Sequence, residues 1–173
     1  DVESMSRGLL FWRSFSHWIG GMGVLVFAMA ILPMTDGRAM HLMRAEVPGP
    51  TVGKISSKLR DSAKILYEIY FVMTVAEVII LCVGGMPLYD ALIHSFGTAG
   101  TGGFSNKALS VGAYNNPFFE VVIGIFMLLF GINFNLYYFI LLRHFRDAFC
   151  SEELRVYLGI VAFSTITITI NIA

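Results

Sequence analysis

A glycine-rich stretch, GTAGTGGFS at residues 97–105, lies between hydrophobic segments of the chain. A shorter stretch, IGGMG at residues 19–23, repeats it. When Ser14 and Phe15 are aligned with Ser95 and Phe96 without gaps, Gly21 falls on Gly102. No other feature constrains the fold as much. Irregular backbone cannot hydrogen-bond to lipid, so at membrane depth it is tolerated only where protein buries it or where it lines a polar path.

The membrane setting follows from composition. The chain is 56% hydrophobic and 14% charged over 173 residues, whereas a soluble domain carries about 25% charged residues. So little polar surface implies a membrane protein, and the helical segments read below make it an all-α polytopic one. The net charge of zero gives no reason to expect nucleic acid. Cys82 and Cys150 are far apart, lack metal-ligand spacing and read as packing residues with no disulfide. A start at Asp1 and an end inside the hydrophobic run 156–173 imply an internal piece of a longer protein.

Along the chain, segments too short to cross a bilayer alternate with segments that can. A crossing needs about 20 apolar residues. Residues 5–18 are amphipathic and aromatic, and suit a re-entrant helix leading into the first glycine loop. A helix is expected from Val24 through a kink at Pro33 to about Met43, then an exposed polar linker with Pro-Gly-Pro at 48–50. Residues 65–83 form a clean span closed by Gly84, Gly85 and Pro87, and 88–96 form a second short helix before the longer loop. Residues 106–117 are turn-rich. Residues 118–142 can span but contain Gly131, Asn133 and Asn135, which predict an unwound stretch; the alternative is a continuous helix whose asparagines bond a neighbouring helix. Residues 143–155 are charged, and a last span starts at Val156.

Basic residues fix an expected orientation. Arg38, Arg44, Lys54, Lys58, Arg60 and Lys64 fall in one linker and Arg143, Arg146 and Arg155 in another, while 84–117 holds only Lys107. The positive-inside rule then places both linkers in the cytoplasm and opens the glycine loops outward.

Successive backbone carbonyls turned one way supply the several oxygen dipoles that a dehydrated cation needs, and such a backbone favours glycine. Gly20, Gly21 and Gly23 in one loop and Gly100, Gly102 and Gly103 in the other fit that need, and Thr101 adds a hydroxyl. The short helices would aim their negative C-terminal ends at the ion. The competing reading is that these glycines only let helices pack closely in a non-conducting scaffold. Glu68 and Glu77, nine residues apart at about 100° each, point to opposite faces of their helix. Glu68 is expected to snorkel or to pair with Lys64, and Glu77 to find a structural partner, with ion binding as the alternative. His17 and His94 read as polar packing, and Asp90 as a helix cap. No nucleophile–base pair or metal cluster is visible, so no enzyme is expected.

The stretches SHWIGGMGVLVFAMAILP (16–33), RAEVPGP (44–50), 64–105, FGINFNLYYF (130–139) and SEELRVYLGI (151–160) resemble the Trk/Ktr/HKT superfamily of cation transporters, its TrkH branch most closely. The resemblance implies tandem helix–pore loop–helix repeats of the potassium-channel kind, four to a polypeptide. Residues 1–43 would be the pore loop and second helix of repeat two, 44–63 a cytoplasmic linker, and 64–142 the whole of repeat three. Residues 143–155 would be a second linker and 156–173 the start of repeat four.

It further implies a K+ selectivity filter at Ile19, Gly20, Gly21 and Met22 and at Gly100, Thr101, Gly102 and Gly103. The carbonyls of Gly20, Gly21, Thr101 and Gly102 would hold the ion, and Gly131, Asn133 and Asn135 would form an intramembrane gating loop. In that superfamily serine in place of a filter glycine goes with sodium permeation; both glycines here are intact, which favours potassium. The same resemblance implies a homodimer in a bacterial cytoplasmic membrane, a cytoplasmic nucleotide-binding regulatory subunit, and no covalent cofactor. Na+- or H+-coupled symport is the alternative transport mode.

Cysteines introduced as Ser57→Cys and Ala113→Cys in the full-length protein are expected to react with impermeant reagents from opposite sides of the membrane. Labelling from one side would overturn the topology.

Overall fold

The structure, a computed structural model, describes residues 2–23, 59–141 and 151–172. The expected helix from Val24 to Met43, most of the linker 44–63, and residues 142–150 lie outside the described residues. Two compact units are present, Asp1–Gly131 and Ile132–Ala173.

In the first unit a 3₁₀ turn at Val2–Ser4 leads into α1 (Arg7–Gly21). Ser6 caps α1, its hydroxyl accepting the Leu9 N–H at 3.4 Å. With 15 residues α1 is too short to cross a bilayer. α2 (Leu59–Val83) comes next among the described helices and contains the span Ala63–Val83. It begins before Ile65, where the apolar run starts, because Leu59 to Lys64 are compatible with helix although Arg60, Asp61 and Lys64 are charged.

α2 ends in a Schellman turn: the Met86 N–H reaches the Leu81 carbonyl and the Gly85 N–H the Cys82 carbonyl, both at 3.0 Å. Gly85 takes φ +99°, a conformation that glycine adopts without a Cβ penalty. The short α3 (Leu88–Ala99) starts after Pro87, and a 3₁₀ turn at Ser110–Tyr114 leads to α4 (Pro117–Phe130). Asn116 caps α4, and Pro117 occupies its first turn, where a missing N–H costs nothing.

α3 is the hub, packing against α1, α2 and α4. Below its start, Leu81, Met86, Ala91, Phe119 and Ile123 form one apolar cluster. On α2, Tyr70, Thr74, Glu77 and Leu81 are buried at helical spacing and form the seam toward the short helices. Trp18 of α1 locks into that seam. Its indole N–H donates to Thr74 at 3.0 Å, its carbonyl accepts the Tyr70 hydroxyl at 2.8 Å, and its ring stacks on Tyr70 at 5.5 Å. Phe15 and Phe96, equivalent neighbours of the two aligned serines, meet edge-on at 5.9 Å.

In the second unit α5 (Phe134–Leu141) and α6 (Glu152–Ile172) are joined through Asn133, whose amide donates to both Glu153 oxygens at 3.0 and 3.1 Å. α6 starts at Glu152 rather than Val156. The Ser151 hydroxyl accepts the Leu154 N–H, and two glutamates in the first turn suit the positive helix end. It contains the second apolar span, Glu152–Asn171. Thr165, Thr167 and Thr169 each return their hydroxyl to the carbonyl four residues back at 2.8 Å, so none of these three hydroxyl protons is left for lipid.

Tyr70→Phe leaves the buried Trp18 carbonyl without its donor. It should cost the full-length protein about 1–3 kcal/mol, read as a lower melting temperature in detergent; an unchanged melt would remove this bond from the fold's supports.

Candidate functional site: the backbone loops after α1 and α3

The loop after α3 is set by the way the helix stops. The Thr101 N–H returns to the Thr98 carbonyl at 2.8 Å and the Gly102 N–H to the Gly97 carbonyl at 2.9 Å, the same Schellman pair that closes α2. The Gly103 N–H also reaches Gly97, at 3.2 Å, and that of Gly100 reaches Phe96 at 3.1 Å. All four N–H groups of residues 100–103 are therefore committed to the helix end. Among the described residues, none of the four carbonyls accepts a hydrogen bond.

The left-handed position of this turn is held by Thr101, at φ +55°, where α2 has Gly85. Glycine next appears in that conformation at Gly103, φ +65°, while Gly102 between them does not share it. Alternation of hand along a short backbone is what brings successive carbonyls toward one side. A left-handed threonine carries a penalty of roughly 1–2 kcal/mol, and such strain gathers at functional sites. Sequence reasoning gave the unusual dihedrals to glycines alone and missed Thr101 in this role. It also placed Gly97 in the loop. Gly97 is the last-turn residue whose carbonyl takes two loop N–H groups, and a Cβ there would sit 2.8 Å from the Phe104 carbonyl oxygen.

The first loop differs from expectation. α1 stays helical through Ile19, Gly20 and Gly21, with Met22 as its cap. The Gly20 carbonyl accepts the Gly23 N–H at 2.9 Å and the Met22 N–H as well, so the orphan carbonyl of the last turn is satisfied by the next two residues of the cap. Only Gly23, φ +78°, is left-handed. Gly21 nonetheless faces the second loop: a Cβ on it would lie 2.9 Å from the Gly100 Cα. The imidazole of His17 fills the space beside Gly100 and Gly102, and packs edge-on against Phe104 at 5.2 Å.

The return limb, residues 103–115, is tied down by side chains. Arg13 donates to the Ser105 carbonyl at 2.8 Å and lies over the Phe104 ring. His94 bridges the Asp90 carbonyl at 2.8 Å and the Ser105 hydroxyl at 3.0 Å. Asp90 was expected to cap α3. Its carboxylate instead accepts Asn106 at 2.6 Å and Tyr114 at 2.7 Å, because Pro87 already sets the helix start and the return limb passes overhead. Burial, and then the bond to Asp90, holds the Tyr114 phenol above its ordinary range, so it remains a donor.

Lys64 and Glu68 pair as expected, at 3.9 Å on the surface. Glu77 does not find the partner expected of it. It is fully buried beside Thr98, whose hydroxyl donates to the His94 carbonyl instead, and neither Glu77 oxygen is hydrogen-bonded.

The long apolar segment is broken at residues 131–133, a shorter interruption than the expected 131–135. α4 stops at Phe130, Gly131 caps it with its N–H on the Met127 carbonyl, and helix resumes at Phe134. Asn133 bonds Glu153, and Asn135 lies within α5. Among the described residues, no group of three or more His, Cys, Asp or Glu side chains comes together to hold a metal ion.

An all-α chain with two helices long and apolar enough to cross a membrane, and two short helices that meet at glycine loops, has the makeup of a polytopic membrane protein. The chain matches the TrkH family, described as a cation transport protein, over residues 1–172, and belongs to that family. It is 38% identical over 161 residues to the Trk system potassium uptake protein TrkH of Salmonella typhimurium, covering 92% of this chain and 33% of that protein. The Trk system potassium uptake protein TrkG of Escherichia coli is 36% identical over 171 residues, 98% of this chain and 35% of the relative. The crystal structure of the potassium transporter TrkH from Vibrio parahaemolyticus superposes with a TM-score of 0.60 at 31% identity, covering 79% of this chain and 26% of that one. The chain spans about a third of the length of the curated relatives it matches.

Thr101→Gly removes the Cβ penalty but loosens the unfolded chain, and should stabilise the full-length protein by about 0.5–1 kcal/mol. A fall in melting temperature would show that Thr101 is held by contacts worth more than its strain.

Proposed function

We propose that this chain is the central part of a potassium-uptake protein of a bacterial cytoplasmic membrane, and that its two glycine loops supply two of the four segments of a carbonyl-lined filter. One observation supports this most: every N–H of residues 100–103 is bonded back to α3 while their carbonyls accept nothing among the described residues. The main chain of such a loop offers acceptors and no free N–H, which suits a cation that has shed its water. Gly21 lying against Gly100 supports a path shared by both loops.

In this reading Gly100, Thr101, Gly102 and Gly103 line the path from one side and Ile19, Gly20, Gly21 and Met22 from another. The Gly20 carbonyl is already engaged, so Gly21 leads on that side. K+ enters from the outer face, exchanges water for carbonyl oxygens and passes toward residues 131–135. The helix break there, with Gly131 at one end and Asn133 and Asn135 beyond it, is the proposed gating loop. Residues 1–43 and 64–142 would then be repeats two and three of four, joined by cytoplasmic linkers, with repeat four starting near 156. Homodimer formation and a cytoplasmic nucleotide-binding regulatory subunit belong to this proposal through family membership alone.

In an uptake-deficient bacterium, the full-length protein should restore growth on limiting potassium and radioactive rubidium uptake. Gly102→Ser should cut the K+ over Na+ preference by at least about tenfold, or roughly 1.4 kcal/mol. Equal preference in both forms would take Gly102 out of the ion path.

A further inference from the structure

The structure assigns to His17 a role that family membership does not: we propose that its imidazole is the spacer that sets the distance between the two loops, and so a positioning residue for ion preference. The inference rests on the filter reading above. His17 belongs to the last turns of α1, yet it lies on the loop that follows α3. A Cβ added to Gly102 would overlap the imidazole Nε2, with Cδ2 and Cε1 both 2.9 Å away. A Cβ added to Gly100 would overlap the same ring and come within 3.0 Å of the His17 carbonyl oxygen. The ring is braced from behind by Phe104, at 5.2 Å and nearly perpendicular. It cannot retreat without moving the return limb that Arg13 holds through the Ser105 carbonyl.

The glycines are therefore small for two reasons. Their backbone needs conformational freedom, and the space beside them is already filled by a side chain from the last turns of α1. The imidazole Nε2 is buried and has no hydrogen-bond partner. Leaving such a nitrogen unpaired is unfavourable, so packing alone does not account for a histidine here; a spacer of fixed shape at this point does. The aligned repeat sharpens the argument. Counting from Ser14 and Ser95, the residue equivalent to His17 is Thr98, a much smaller side chain bonded within its own helix. The two loops are thus spaced unequally by sequence.

The test is a two-residue cycle in the full-length protein with His17→Thr, the residue of the aligned position, Gly102→Ala, and both together. Rubidium uptake, the K+ to Na+ preference and the melting temperature are read for each. Gly102→Ala alone should lower uptake at least tenfold and lower the melt. His17→Thr alone should keep uptake but shift the preference toward Na+ by threefold or more. The double variant should regain uptake to within about threefold of His17→Thr, because the added methyl then has room. A double variant no better than Gly102→Ala in either uptake or melt, or an unchanged preference in a well-folded His17→Thr protein, would overturn the spacer role and leave the filter reading standing. Undiminished uptake in Gly102→Ala would instead bring down the filter reading, and the spacer with it.

Discussion

The carbonyl of Gly97 accepts the N–H groups of both Gly102 and Gly103, and much of the first unit is arranged around that fact. A helix that stops inside a membrane protein leaves carbonyls that water cannot reach, and here the loop itself satisfies them. The backbone must then reverse at Thr101 and pass close over Gly97, where even a methyl group would collide with the Phe104 carbonyl. Residues 104–114 are delivered above α3, within reach of Arg13, His94 and Asp90. Helix termination, loop shape and the anchoring of the return limb are consequences of one pair of hydrogen bonds.

The seam on α2 does the complementary work. Tyr70 and Thr74 hold Trp18, and so fix how far α1 reaches toward the end of α3. Tyr70 is doubly placed: its hydroxyl bonds the Trp18 carbonyl and also stands 2.5 Å from where a Cβ on Gly21 would be. Glu77, one turn further along, is the seam's unsatisfied polar group, buried and unbonded beside Thr98. Three helices that cannot each span a membrane (α1, α3 and α4) are thus organised by one that can.

The coarse plan was readable because it rests on apolar length and on glycine. A short helix before each glycine stretch, a span between them and a break after Phe130 are all present, although the short helices run on to Gly21 and Ala99 and the span starts at Leu59. The Lys64–Glu68 pair was legible too, being a matter of helical spacing. What could not be read depends on contacts between segments distant in sequence. Asp90 has the look of a cap, and only the fold brings Asn106 and Tyr114 to it. Ile19, Gly20 and Gly21 look like loop, yet they remain helical because the N–H groups of Met22 and Gly23 satisfy the final turn. Thr101 gives no sign of a left-handed backbone; the one available clue was that it sits just past the end of the short helix, where α2 has a glycine. His17 and Gly102 are 85 positions apart in the numbering and carry no pattern that links them.

A loop whose donors are all committed to its own helix presents a surface of one polarity. Anions would meet no N–H there, whatever side chains surround it. In the proposed filter, discrimination by charge sign would be a property of the main chain, indifferent to most side-chain replacement. On that reading, residues around such a loop could be exchanged without loss of the preference for positive ions, as long as the turn at its start still closes.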